Sequence, residues 1–117
     1  MNLSQLEENF KSARIKGDWA DIVKKAVVFS NGCQEVRKYD AAIACLNKLA
    51  LDVKVDKKLL AVVLTALGTA YWEKAQLKKA LEQFEKALLL FKETDDKAGK
   101  AAILSIVGIT YWRKCEW

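Results

Sequence analysis

A chain of 117 residues holds the material of one domain, and a 52% hydrophobic fraction lets it bury a core, which excludes a disordered tail. The absence of proline and histidine favours helix throughout and removes the commonest general base and metal ligand. Its 20 basic and 15 acidic residues leave a net charge of +5, spread among interleaved lysine and glutamate rather than gathered into the basic stripe that phosphate tracking needs.

Ser4, three residues before Glu7, predicts a capping box that opens a first helix over residues 4–15, with Leu6, Phe10 and Ala13 on its apolar face. Gly17 ends it, and Asp18 caps a second helix over 19–36 whose apolar positions are Ile22, Val23, Ala26, Val27 and Phe29. Asn31-Gly32 interrupts that pattern and opens the alternative of a turn. A third helix over 40–51 carries Ala42, Ile43, Leu46 and Leu49 on one stripe. The fourth, over 57–74, is apolar on most sides through Leu60, Val63, Leu64, Leu67 and Tyr71, so neighbours must cover more than one of its faces. The fifth, over 77–93, is amphipathic, with Leu77, Ala80, Leu81, Phe84, Ala87, Leu88 and Phe91 in line. Thr94-Asp95-Asp96 caps a sixth that runs from residue 97 to the end, again apolar through Ile103, Leu104, Ile106, Val107, Ile109 and Tyr111. Connections this short make consecutive helices antiparallel neighbours, in an all-α fold with no linker.

Chemistry-bearing constellations are not found in these elements. Cys33, Cys45 and Cys115 form no Cys-x-x-Cys pair and lack a histidine to activate them, so reduced thiols in a cytoplasmic, non-catalytic protein are expected. Asp18, Asp21, Asp95 and Asp96 read as helix caps rather than paired acids, and there is no glycine-rich phosphate loop. No cofactor or metal is expected. The first residues lack a secretory pattern, and the longest uncharged run, Leu59 to Trp72, falls short of a membrane span.

What stands out is repetition. Leu67-Gly68-Thr69-Ala70-Tyr71-Trp72 returns as Val107-Gly108-Ile109-Thr110-Tyr111-Trp112, a step of 40 residues from Gly68 to Gly108. Ala42, Leu46 and Leu49 stand 38 residues before Ala80, Phe84 and Ala87, which aligns Phe29, Ser30 and Cys33 with Leu67, Gly68 and Tyr71. Small Gly68 and Ala80 allow two helices to cross closely, and Tyr71 and Phe84 fill the space around the crossing.

Leu67-Gly68-x-x-Tyr71 with Ala80, Phe84 and Ala87 resembles the tetratricopeptide repeat, in a longer-helix variant with Leu64 at the family's early tryptophan and Lys92 at its late proline. The resemblance implies an antiparallel helix-pair solenoid, a right-handed superhelix of about six helices in a single domain over 1–117. Its parts are an N-terminal helix (4–15), a degenerate repeat (19–51), the best repeat (57–93) and the first helix of a further repeat (97–117). The first helix of each pair lines a concave groove in that family. Carried over by alignment, the groove takes Lys24, Val27, Asn31, Gln34 and Glu35 from the first unit, and Val62, Thr65, Thr69, Trp72 and Glu73 from the second. Ala102, Ser105, Ile109, Trp112 and Arg113 come from the third. Asn31 aligns with one asparagine of the family's carboxylate clamp, but Val27, Ala66, Ala102 and Ile106 occupy the other clamp positions, so no clamp is expected.

Trp72 and Trp112 each follow the structural tyrosine and are either groove anchors or packing residues. The expected function is a protein-interaction scaffold that binds a peptide or helix of another protein in the groove, with no nucleic-acid or membrane partner. The alternative follows from the last helix, which has no second helix to pack on it and lacks the polar cap that repeat arrays need. Either the chain is cut from a longer protein or residues ~103–117 associate with another copy, as a homo-oligomeric assembly module.

Overall fold

The computed structural model describes residues 2–115. These form six helices and no strands: α1 Leu3–Lys16, α2 Trp19–Glu35, α3 Tyr39–Asp52, α4 Lys57–Glu73, α5 Leu77–Glu93 and α6 Lys97–Cys115. None of the helices is long and apolar enough to cross a membrane. Glu116 and Trp117, with which the expected self-association stretch ends, lie outside the described residues.

Four of the helices, α1, α2, α4 and α6, begin where a side chain accepts an open N–H. The Asp18, Asp56 and Asp96 carboxylates accept from the N–H groups of Ala20, Leu59 and Gly99. At α1 the expected Ser4 cap is wrong by two residues. Asn2 Oδ1 accepts from Gln5 N–H at 2.9 Å, and Ser4 already lies inside the helix. Asparagine is as good a cap as serine, and it extends the helix by a further residue. Of Thr94-Asp95-Asp96, only Asp96 caps α6, while the Thr94 hydroxyl turns back to donate to the Leu90 carbonyl.

The turns after α2, α4 and α5 share one construction. The N–H groups of Lys38, Gln76 and Asp96 donate five residues back, to the carbonyls of Cys33, Tyr71 and Phe91. Arg37, Ala75 and Asp95 take φ of 62°, 67° and 54° to allow it. This is a Schellman closure built without the usual glycine. Gly17 provides the left-handed residue after α1, with φ 81°.

Consecutive helices pack on each other, and α2 also packs on α4 across the intervening α3. One core runs through the stack, from Ile22 and Ala26 in α2 through Leu46, Leu67 and Phe84 to Ile103 in α6. Burial of these side chains contributes roughly 1.5–3 kcal/mol each before entropy is counted. Ser30 and Cys33, which the sequence aligns with Gly68 and Tyr71, are fully buried.

Close approach explains three of the glycines. A Cβ on Gly68 would lie 2.5 Å from Phe84 Cε1, which is the close crossing expected there. One on Gly99 would meet the Phe91 ring at 2.5 Å, a second crossing of the same kind between α6 and α5. At Gly32 it would meet Leu6 Cδ1 at 2.7 Å. Asn31-Gly32 therefore makes no turn. α2 runs through it unbroken, and the missing side chain there makes room for α1.

Candidate partner-binding groove

The site follows from which helices share a side of the stack. α2, α4 and α6 line one side, and their facing residues leave a continuous apolar trough. At one end Ala20, Val23, Lys24, Val27 and Val28 of α2 face Leu59 and Val62 of α4. In the middle, Val27 and Asn31 face Val62, Thr65, Ala66 and Thr69, with Phe91 of α5 beneath. At the other end Thr69, Trp72 and Glu73 of α4 face Ile106 and Ile109 of α6, over Phe84, around a hollow of 220 Å³. Val27 and Val62 belong to the first two sections and Thr69 to the last two, which joins the three into one surface.

Polar groups along the trough are partly spoken for. The Thr65 hydroxyl donates to the Ala61 carbonyl and the Thr69 hydroxyl to the Thr65 carbonyl, both within α4. These bonds satisfy the hydroxyls internally. Trp72 is held from above by Arg113, whose guanidinium carbon lies 4.4 Å from the ring centroid and whose Nη1 donates to the Trp72 carbonyl at 2.8 Å. This combines a cation–π contact with a charge-assisted hydrogen bond. The buried Trp72 Nε1 has no hydrogen-bond partner among the described residues, nor does Gln34 Nε2.

Of the fifteen residues aligned with the groove, Lys24, Val27, Asn31, Val62, Thr65, Thr69, Trp72, Glu73 and Ile109 line the trough. Arg113 reaches it by covering Trp72. Gln34 is half-buried, and Ser105 and Trp112 are exposed outside the hollow formed by Trp72 and Ile109. The two tryptophans thus part company. Trp72 has α6 to pack against, while no helix among the described residues takes that place beside Trp112, which is 66% exposed.

Alignment of the tyrosine-tryptophan signature missed Ala20, Val23, Val28 and Leu59, whereas Ala66 and Ile106, aligned with clamp positions, do line the trough. The signal for them was in the sequence as surplus hydrophobicity. Val28 and Val62 lie outside the core stripes of their helices, and both remain more than 40% exposed.

The opposite side offers less. Glu7, Phe10, Lys11 and Arg14 of α1 and Cys45 and Lys48 of α3 border a shallow hollow around Phe29. An Arg14–Asp52 ion pair ties the two helices at 3.1 Å. Burial pushes the Cys45 thiol up to about 11, and burial also raises Cys33. Both thiols are held neutral and poorly nucleophilic near pH 7. No protein-family model matches the chain, and no curated protein matches it.

Proposed function

We propose that the protein is a non-catalytic interaction scaffold, a solenoid of tetratricopeptide-like helix pairs whose trough along α2, α4 and α6 receives a peptide or helix of a partner protein. The observation that carries this reading is the continuity of the trough. A surface that stays apolar from Ala20 to Ile109, with exposed Val28, Val62 and Ile109 and only a few polar groups, is more extended than scattered surface hydrophobes produce. A groove in which side chains present apolar walls suits an amphipathic segment better than a small polar ligand. Supporting the solenoid are the step from Gly68 to Gly108 and the packing of α2 on α4, which brings the first helices of successive pairs side by side. Trp72, braced by Arg113 where α4 faces α6, is the anchor residue of this reading.

The test is selection from a random peptide display library on the intact chain, with Val62→Glu and Ile109→Glu as counter-targets. Both side chains are over 40% exposed, so the variants keep the fold. Enriched peptides that lose at least tenfold affinity for both variants support the trough. Peptides indifferent to both reject it.

A further inference from the structure

Two charged side chains line the trough, one of each sign, at opposite ends. Lys24 borders the section where α2 faces the start of α4, and Glu73 borders the section where α4 faces α6. The other lining residues of all three sections are uncharged. Both side chains are exposed, and neither has an ion pair or a hydrogen bond with the described residues. The nearby Arg113 guanidinium is already engaged, over the Trp72 ring and on the Trp72 carbonyl. An apolar surface with an uncommitted cation at one end and an uncommitted anion at the other selects an occupant charged in the opposite order.

Spacing sets where those charges lie on the occupant. All three sections run along α4. Val62 shares the first section with Lys24, and Glu73 follows Val62 by 11 residues, about 17 Å of helix at 1.5 Å per residue. A helix laid along α4 covers that span in about eleven residues, or three turns, which brings its two charges round to one face. An extended segment covers it in about five residues.

Backbone chemistry decides between the two. An extended segment brings about ten unpaired N–H and C=O groups, and those turned towards the walls need partners there. The walls offer almost none. The Thr65 and Thr69 hydroxyls already donate to carbonyls one turn back in α4, Trp72 Nε1 is buried, and Asn31 is the one carboxamide that lines the trough. A helix pairs its own backbone groups and asks only apolar contact of the trough.

We infer that the occupant of the trough is an amphipathic helix with an acid and a base about eleven residues apart, at the two ends of its apolar stripe. Its acid pairs with Lys24 and its base with Glu73, so the charges fix which way the helix lies. The inference rests on the trough being the partner-binding surface, and it adds the partner's conformation and charge order. Exposed pairs of this kind contribute little affinity, so the apolar stripe holds the helix and the charges orient it.

The probe is a display library of random peptides of about 16 residues, long enough for the span between the charges. It is selected in parallel on the intact protein and on its Lys24→Glu and Glu73→Lys variants, whose folding circular dichroism checks. Peptides enriched on the wild type are expected to carry apolar residues at three- and four-residue spacing, with an acid and a base about eleven apart. On Lys24→Glu a base replaces the acid, and on Glu73→Lys an acid replaces the base, an exchange that loss of structure does not produce. A synthesised wild-type peptide becomes helical on binding, binds either variant about fivefold more weakly, and loses at least tenfold when a central residue is replaced by proline. Enriched peptides with apolar residues at alternate positions, or full affinity in the proline peptide, overturn the helix. Peptides that keep the same charges on all three proteins, yet lose affinity on Val62→Glu, overturn the charge order and leave the trough standing. Peptides indifferent to Val62→Glu, or no enrichment at all, overturn both.

Discussion

Gly68 and Phe84 are in such close contact that a single added methyl on the glycine would fall 2.5 Å from the phenyl ring, and the ring, 1% exposed, has nowhere to move. Gly108 occupies the same position in the signature's second occurrence, 40 residues on, and faces open space. The same substitution therefore has opposite effects at two equivalent sites. Gly68→Ala is expected to destabilise by about 1–2 kcal/mol, the overpacking cost less the helix-propensity benefit. Gly108→Ala is expected to stabilise by up to about 1 kcal/mol. Chemical denaturation of the two variants checks both signs.

The three left-handed turn residues lead to a second expectation. Ala75 holds φ at 67°, a conformation that costs a residue with a side chain roughly 1–2 kcal/mol and costs glycine nothing sterically. Ala75 is exposed and outside the core, so Ala75→Gly is expected to stabilise by about 0.5–1 kcal/mol after glycine's greater unfolded-state entropy is deducted. A rise in denaturation midpoint with unchanged slope is the predicted result.

The thiols differ in exposure. With Cys115 exposed, Cys33 buried and Cys45 held neutral by its surroundings, a disulfide reagent at pH 8 should modify Cys115 at least tenfold faster than the other two. The sign of the linkage follows from burial favouring the protonated form in the folded state. The thiol of Cys45 ionises near 9 when unfolded and at about 11 when folded. Its contribution to stability is thus complete below pH 9 and is lost as pH rises towards 11. Cys45→Ala should flatten the fall in unfolding free energy over that interval.

How much of this was legible in the sequence depends on how local the cause is. The helix bounds follow from apolar spacing and from Gly17 and Asp18, and the structure places the six helices within a residue or two of expectation, apart from the end of the sixth, which lies outside the described residues. The Gly68–Phe84 crossing could be read as well, because small Gly68 and Ala80 and aromatic Tyr71 and Phe84 stand at the spacing where two helices of a pair cross. The role of Gly32 could not, since glycine within a helix marks a break or a close neighbour equally well and only the position of Leu6 decides. Gly99 was missed for a related reason. Its partner Phe91 lies eight residues away across a turn, outside the repeated signature. In the trough, the signature located Thr69, Trp72 and Ile109 but treated Trp112 as the equal of Trp72. The difference between them is made by Arg113 and by the presence or absence of a next helix, neither of which a residue's own neighbours in sequence reveal.

Arg113 also offers a check on Trp72. Removing the guanidinium with Arg113→Ala uncovers the ring and should shift tryptophan emission to longer wavelength, with about 0.5–2 kcal/mol lost in stability. Arg113→Lys should restore only part of it, because an ammonium cannot stack flat on the ring.

The trough is tested most directly by amide chemical-shift mapping of the intact, isotope-labelled protein with a peptide enriched from a display library. The account predicts shifts concentrated at Val27, Asn31, Val62, Thr69 and Ile109, with the outer faces of α3 and α5 unmoved. Shifts confined to those outer faces, with Val62, Thr69 and Ile109 unchanged at saturation, would contradict it.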